Sequence, residues 1–299
     1  MNGSTAGALR ARARTATLFV GCAALAAAAC RRPADPHPPP PHAIDRTEPN
    51  GRPSVTDADD ATDDARDDDA APLPPIPPAP LFTNLDVPGF PSPVVSVPNG
   101  ATSPRPLLVA LHGSGDRPDY NCDAWRHMTG ARGFVLCPRG DYDPRESTKD
   151  DTRYTLRGGA PLRRYLDAAV AALAARFAGY VDADRPVVAG FSLGATEIAQ
   201  VALLDARRFP RVAMVEGGHG VWTDEAARRF LAEGGLRVLF GCGSPWCPAP
   251  ARAAVARLTK AGVPARAAQA SVGHTNDRPL QEALMEDIPW FLEGDARWK

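Results

Sequence analysis

The chain has 299 residues, 44% of them hydrophobic and 23% charged, and a formal net charge of −1. That is enough apolar material for one large domain or two small ones. The charge is unevenly spread: residues 1–30 hold three arginines and no acid, and residues 31–80 hold five arginines against eleven acids, which leaves residues 81–299 at a formal +2. A near-neutral body with both signs interspersed carries no electrostatic footprint for nucleic acid.

In chain order, Arg10, Arg12 and Arg14 precede the apolar segment "TATLFVGCAALAAAAC", Thr15–Cys30. The segment is too short to span a bilayer comfortably and has the layout of an export signal. Its end, Ala27-Ala28-Ala29-Cys30, resembles the lipobox of bacterial lipoproteins, which makes Cys30 the candidate lipidation site. Phe19-Val20-Gly21-Cys22 is a rival, and a plain cleaved signal peptide is the alternative. Either reading predicts export, as a cell-envelope lipoprotein on the periplasmic or surface side or as a secreted protein, with membrane contact only through the anchor.

Residues 31–80 hold fourteen of the 32 prolines, with "DADDATDDARDDD" at Asp57–Asp69 and "PLPPIPPAP" at Pro72–Pro80. Few apolar groups there offset the entropy of ordering the backbone, so the composition predicts a disordered tether. The acid run reads as a solvating spacer, since it lacks the ligand spacing and turn glycine of a calcium loop.

From about Leu81 apolar runs of strand length alternate with helical periodicity. The candidate strands are "PVVSV" (Pro93–Val97), "PLLVALHG" (Pro106–Gly113), "GFVLCPRG" (Gly133–Gly140), "PVVAGFS" (Pro186–Ser192), "RVAMVEGG" (Arg211–Gly218), "RVLFGCG" (Arg237–Gly243) and "ARAAQAS" (Ala265–Ser271). Near-continuous apolar runs are expected of strands covered on both faces in a parallel sheet. Leu162, Leu166, Ala169, Val170, Leu173 and Phe177 form one helical stripe stopped by Gly179, and Leu280, Leu284, Ile288 and Phe291 form another in a closing helix over Pro279–Leu292. Residues 81–299 therefore form one β-α-β domain, in which chemistry gathers outside the carboxyl ends of the strands. The polar stretch Gly140–Gly159 is an insertion near that edge; the Arg-Gly-Asp at 139–141 reads as coincidence.

Beyond Cys22 and Cys30, the cysteines are Cys122, Cys137, Cys242 and Cys247, an even number for an oxidising compartment. Three pairings exist; Cys122 with Cys137 and Cys242 with Cys247 are favoured, because one ties a helix start to the neighbouring strand and the other closes a short loop after a strand. A zinc site is the competing idea, without a CxxC pair or a histidine cluster to support it.

Gly190-Phe191-Ser192-Leu193-Gly194 lies where a strand becomes a helix, the context of a nucleophile elbow. Glycines relieve the crowding of so tight a turn, and the first amides of the helix face an oxyanion beside the serine. Leu111–Asp116, "LHGSGD", supplies a loop whose amides at Gly113 or Ser114 can pair with that of Leu193. With "LHGSGD", "GFSLGA" and "VGHT" in that order, the chain resembles the α/β-hydrolase fold family over about residues 85–299, near its dienelactone hydrolase and carboxylesterase-like branches. The resemblance implies an α/β-hydrolase fold with a mainly parallel central sheet and helices on both faces. It also implies Ser192 as nucleophile, His274 as general base and then acid, an oxyanion hole from Leu193 with Ser114 or Gly113, a structural role for His112, and no metal or organic cofactor.

Of the other histidines, His127 falls in a helix and His219 after a strand; His274 fits the serine, acid, histidine order. The acid departs from the usual pattern, since Arg237 through Asn276 contains no Asp or Glu. Glu216, one strand earlier, is the first candidate, a position from which some hydrolases of this fold draw their acid. Asp224 and Asp277 are alternatives. The segment "GCGSPWC" then reads as a disulfide-bound loop in place of the usual acid loop, shaping the pocket. The function predicted is an exported serine hydrolase acting on a small or polymeric ester; a peptidase or thioesterase shares the machinery, and a non-catalytic surface binding protein is the reading from another class.

Overall fold

The structure, a computed structural model, describes residues 73–299. The leader, Cys30 and the tether up to residue 72 lie outside the described residues. Residues 73–80, assigned to the tether by composition, run along the domain in extended form: Ile76 is buried, its amide donates to the Ala101 carbonyl at 3.0 Å, and the Tyr180 hydroxyl donates to the Pro74 carbonyl at 2.6 Å. Proline pre-sets the extended backbone, so little entropy opposes laying it down, and one isoleucine supplies the burial.

The elements in chain order are β1 (Thr83–Asn84), β2 (Val94–Ser96), β3 (Arg105–Leu111), α1 (Pro118–Met128), β4 (Phe134–Cys137), β5 (Asp141–Tyr142), β6 (Tyr154–Thr155) and α2 (Gly159–Arg176). They continue with β7 (Val181–Phe191), α3 (Leu193–Leu204), β8 (Arg211–Val215), α4 (Asp224–Ala232), β9 (Arg237–Cys242), α5 (Pro248–Lys260), β10 (Ala265–Gln269) and α6 (Arg278–Phe291). One sheet takes the order β1-β2-β4-β3-β7-β8-β9-β10. The pairs β1/β2 and β2/β4 are antiparallel and the rest are parallel. This is the architecture that the resemblance implies.

The continuous apolar runs are explained by alternation between two cores. Leu107, Val109 and Leu111 of β3 join the core under α2, α3, α4 and α5, while Leu108 and Ala110 join the core under α1 and α6. Each fully buried leucine contributes roughly 1.5–3 kcal/mol of burial. Local chemistry sets the helix limits: α1 and α6 start with a proline in the first turn, Thr223 Oγ1 caps α4 by accepting from the Ala226 amide at 3.1 Å, and Gly179, with φ +83°, follows the end of α2.

Two features depart from the expected elements. The strand before the elbow begins at Val181 rather than Pro186, because Val181 and Asp182 pair with Arg105 and Pro106. The polar insertion contains the β5–β6 hairpin, and Tyr154 exchanges backbone hydrogen bonds of 3.1 and 2.9 Å with Asp116, pinning the loop after β3. Arg139 of the Arg-Gly-Asp sequence donates to Asn84 Oδ1 at 2.8 Å and lies over the Tyr154 ring, so it serves internal packing. The sulfurs join Cys122 to Cys137 and Cys242 to Cys247, the favoured pairing.

Candidate active site

The carboxyl ends of β3, β7, β8 and the loop after β10 converge on one place. At the end of β7, Ser192 holds φ +52° and ψ −114°, a sparsely populated conformation costing about 1–3 kcal/mol. Its amide donates to the Val215 carbonyl of β8 at 2.8 Å, which helps hold it there. Crowding explains the flanking glycines. A Cβ on Gly190 would overlap the Gly194 carbonyl, and one on Gly194 would sit 2.5 Å from the carbonyl oxygens of both Leu111 and His112. The start of α3 is therefore pressed against the end of β3.

That approach brings the β3 loop to the serine. A Cβ on Gly113 would lie 3.3 Å from Ser192 Cβ. Among the described residues the amides of Gly113, Ser114 and Leu193 donate to no backbone carbonyl, so they are free donors. His112 is fully buried, with Nδ1 2.7 Å from the Gly113 carbonyl oxygen and Nε2 3.3 Å from that of Arg139. Burial pushes its pKa down, and a neutral ring, having a single N–H, donates to one of these two carbonyls. Ser114 Oγ is 3.2 Å from Thr155 Oγ1 of the hairpin.

His274 Nε2 lies 2.9 Å from Ser192 Oγ, and His274 Nδ1 lies 2.9 Å from Glu216 Oε2. A carboxylate only accepts, so Nδ1 carries the hydrogen and Nε2 is left to accept from the serine hydroxyl. Phe191 and Trp246 flank the imidazole, with ring centroids 5.1 and 6.5 Å away.

Glu216 follows β8 with φ +57°, and its side chain is wholly buried. Burial alone would raise its pKa. The Ser244 hydroxyl, the Ser244 and Gly243 amides and His274 outweigh it and hold the carboxyl below the usual glutamate range. All the donors except His274 come from the loop closed by Cys242–Cys247. Gly243 also faces the other way: its carbonyl accepts from the amides of Val272 and Gly273, at 3.2 and 3.1 Å. One peptide segment thus holds the carboxylate and hangs the His274 loop.

The remaining candidates lie apart from this chain of hydrogen bonds. Asp224 sits in the first turn of α4, 3.6 Å from Lys260, and Asp277 precedes α6 without bonding to His274. His127 is exposed in the last turn of α1. His219 Nε2 lies 3.2 Å from Cys247 Sγ, whose partner is Cys242, so neither sulfur is a thiolate for a metal. Ser244 and Gly243 were not legible as the partners of Glu216. The signal that points to them is a carboxylate after an apolar strand, which needs donors from the parallel neighbour's loop.

No protein-family model matches the chain, and no curated protein matches it in sequence. Solved structures match it in shape. A protein provisionally described as a dienelactone hydrolase, from Klebsiella pneumoniae, aligns with TM-score 0.51 and 16% identity over 71% of this chain and 97% of that one. A thermostable esterase aligns with TM-score 0.49 and 17% identity, over 71% of this chain and 62% of that one. An S-formylglutathione hydrolase from Agrobacterium tumefaciens aligns with TM-score 0.47 and 15% identity, over 68% and 89%. The first of these alignments, with the strand order, identifies an α/β-hydrolase fold.

Proposed function

We propose that the chain is a serine hydrolase that cleaves a carboxylic ester through a covalent acyl-enzyme. The observation that carries this reading is the unbroken run Ser192 Oγ, His274, Glu216, with 2.9 Å at each step. Ser192 Oγ bonds to the ester carbonyl carbon as its proton passes to His274 Nε2. The Leu193 amide, with that of Gly113 or Ser114, stabilises the oxyanion, each donor being worth about 10²–10³ in rate. The tetrahedral species collapses, the carbon–alcohol oxygen bond breaks, and His274 returns the proton to the departing alcohol. A water then gives a proton to His274 and attacks the acyl carbon; the acid leaves and Ser192 regains its proton. Glu216 fixes the tautomer and balances the imidazolium.

An activity-based fluorophosphonate probe tests the reading. The full chain is expected to label, and Ser192→Ala is expected to abolish labelling and ester turnover together; an inert wild-type chain favours the binding-protein alternative. A peptide or thioester substrate uses the same groups, so a panel of p-nitrophenyl esters beside a thioester and an anilide assigns the acyl class. Export and an anchor at Cys30 remain part of the proposal. Two disulfides in the domain support an oxidising compartment, and mass spectrometry of the mature N-terminus tests it: a diacylglyceryl group on Cys30 supports the anchor, and an unmodified terminus elsewhere overturns it.

A further inference from the structure

The loop between β3 and α1 carries two of the three oxyanion donors, and its sequence makes it soft: Gly113 and Gly115 lie within it, the second at φ +61°. Glycine leaves a loop many conformations. Leu193, by contrast, is the first residue of α3, so the helix fixes its amide. An amide stabilises an oxyanion well only if it is already aimed where the charge develops. The Gly113 and Ser114 donors therefore need a restraint from outside their loop.

The polar insertion supplies one, touching three consecutive loop residues. Ser114 Oγ is 3.2 Å from Thr155 Oγ1, and the Glu146 side chain packs so closely on Gly115 that a Cβ there would overlap it. Asp116 exchanges two backbone hydrogen bonds with Tyr154 and lies 3.6 Å from Arg153. The insertion is braced internally: the Ser147 hydroxyl donates to the Asp143 carbonyl at 2.6 Å and accepts from the Arg153 amide at 2.8 Å. Asp151 bridges Arg153, at 2.5 Å, and Arg117, at 3.3 Å, so a charged link also reaches the chain just beyond the loop. Alternation along β6 explains the fit. The Arg153 carbonyl accepts from the Asp143 amide inside the hairpin, which turns the amide of its neighbour Tyr154 outward, toward Asp116.

Resting on the serine hydrolase reading, we propose that the β5–β6 hairpin is a clamp that preorganises the oxyanion hole, with Tyr154 and Thr155 as positioning residues. Neither touches the reacting atoms. Tyr154 fixes the loop through its backbone, and Thr155 fixes Ser114 through its hydroxyl. The loop then keeps Gly113, which packs against Ser192, and Ser114 in one arrangement. Loss of the clamp leaves the Ser192, His274 and Glu216 run in place and weakens only the state that bears the oxyanion, so kcat falls while KM stays.

The test uses the full chain, a p-nitrophenyl ester and a trifluoromethyl ketone, whose adduct with Ser192 carries the oxyanion. Tyr154→Pro and Tyr154→Ala lose the same ring, but only the first loses the amide that donates to Asp116. The kcat of Tyr154→Pro is expected to be about 10²-fold below that of Tyr154→Ala, as for a catalytic group displaced by an ångström or so. KM should be unchanged, and the ketone should bind more weakly by a similar factor. Thr155→Val is expected to lower kcat roughly 5-fold, the worth of one hydrogen bond, and Thr155→Ser to restore it; this pair decides the matter if Tyr154→Pro fails to fold. Where the wild-type chain labels with the fluorophosphonate probe, equal kcat in the two Tyr154 variants, an unchanged ketone affinity in Tyr154→Pro, or a Thr155→Val chain as fast as wild type overturns the clamp alone. A wild-type chain that neither labels nor turns over ester overturns the clamp and the hydrolase reading together.

Discussion

The two limbs of the site are held by different physics. The nucleophile limb, β7 to α3, is built from backbone: a positive φ at Ser192, glycines that let α3 press on β3, and a sheet hydrogen bond from the Ser192 amide. The acid limb is built from side-chain hydrogen bonds, with Glu216 in the grip of a six-residue loop whose ends are tied by a disulfide. A backbone device is rigid because many sheet and core contacts over-determine it. A loop device is only as good as its closure, so the acid limb is where geometry is most easily lost.

The largest expected effect comes from removing the charge that both limbs serve. Glu216→Gln is expected to lower kcat by roughly 10³–10⁴, since an amide no longer selects the tautomer with Nε2 free, while fluorophosphonate labelling falls with it. Kinetics on a p-nitrophenyl ester measures this, and near-wild-type rates would remove Glu216 from the mechanism. Gly243→Ala comes next. A Cβ there would overlap the Gly273 carbonyl, so a fall of roughly 10²-fold in kcat is expected from displacement of the His274 loop by an ångström or so.

Opening the acid-limb loop sharpens the contrast more gently. Cys242→Ser with Cys247→Ser is expected to destabilise the domain by about 2 kcal/mol for a loop of this length. Activity should fall in parallel, whereas the Cys122–Cys137 pair, away from Glu216, should affect stability without a matching change in kcat. Thermal unfolding beside kinetics separates the two, and equal kinetic behaviour of both pairs would refute a special role for the short loop. Ser244→Ala leaves the two amides on Glu216 and should cost about 10-fold, the low end of the ~1.5–3 kcal/mol range for one hydrogen bond to a charged group, because the remaining donors stay in place.

The smallest effect is in pH. The Glu216 carboxyl is held below its unfolded value, so its contribution to stability is fully present above the unfolded pKa near ~4.3 and is lost as pH falls through the folded value. The stability of wild type should therefore drop more steeply below about pH 4 than that of Glu216→Gln, read from denaturant midpoints at each pH.

Much of this architecture was legible from the chain because its signals are local. Apolar runs, a glycine-flanked serine and the order of three short motifs report strand, turn and helix, and those depend on residues a few positions apart. The tether boundary, the early start of β7 and the hairpin in the polar insertion were not legible, because each is decided by pairing with a distant segment: Ile76 with Ala101, Val181 with Arg105, Tyr154 with Asp116.

By itself, then, the sequence determined the two-sided sheet, the elbow at Ser192 and the short set of groups from which the proposed base and acid were drawn. Only the tertiary structure decided that Glu216 rather than Asp224 or Asp277 meets His274, that Gly243 and Ser244 hold it, and that the polar insertion docks on the loop after β3. The reason is physical: local preference acts within a turn of chain, but a buried carboxylate or an unpaired amide is satisfied by whatever the folded sheet brings within about 3 Å, from any distance along the sequence.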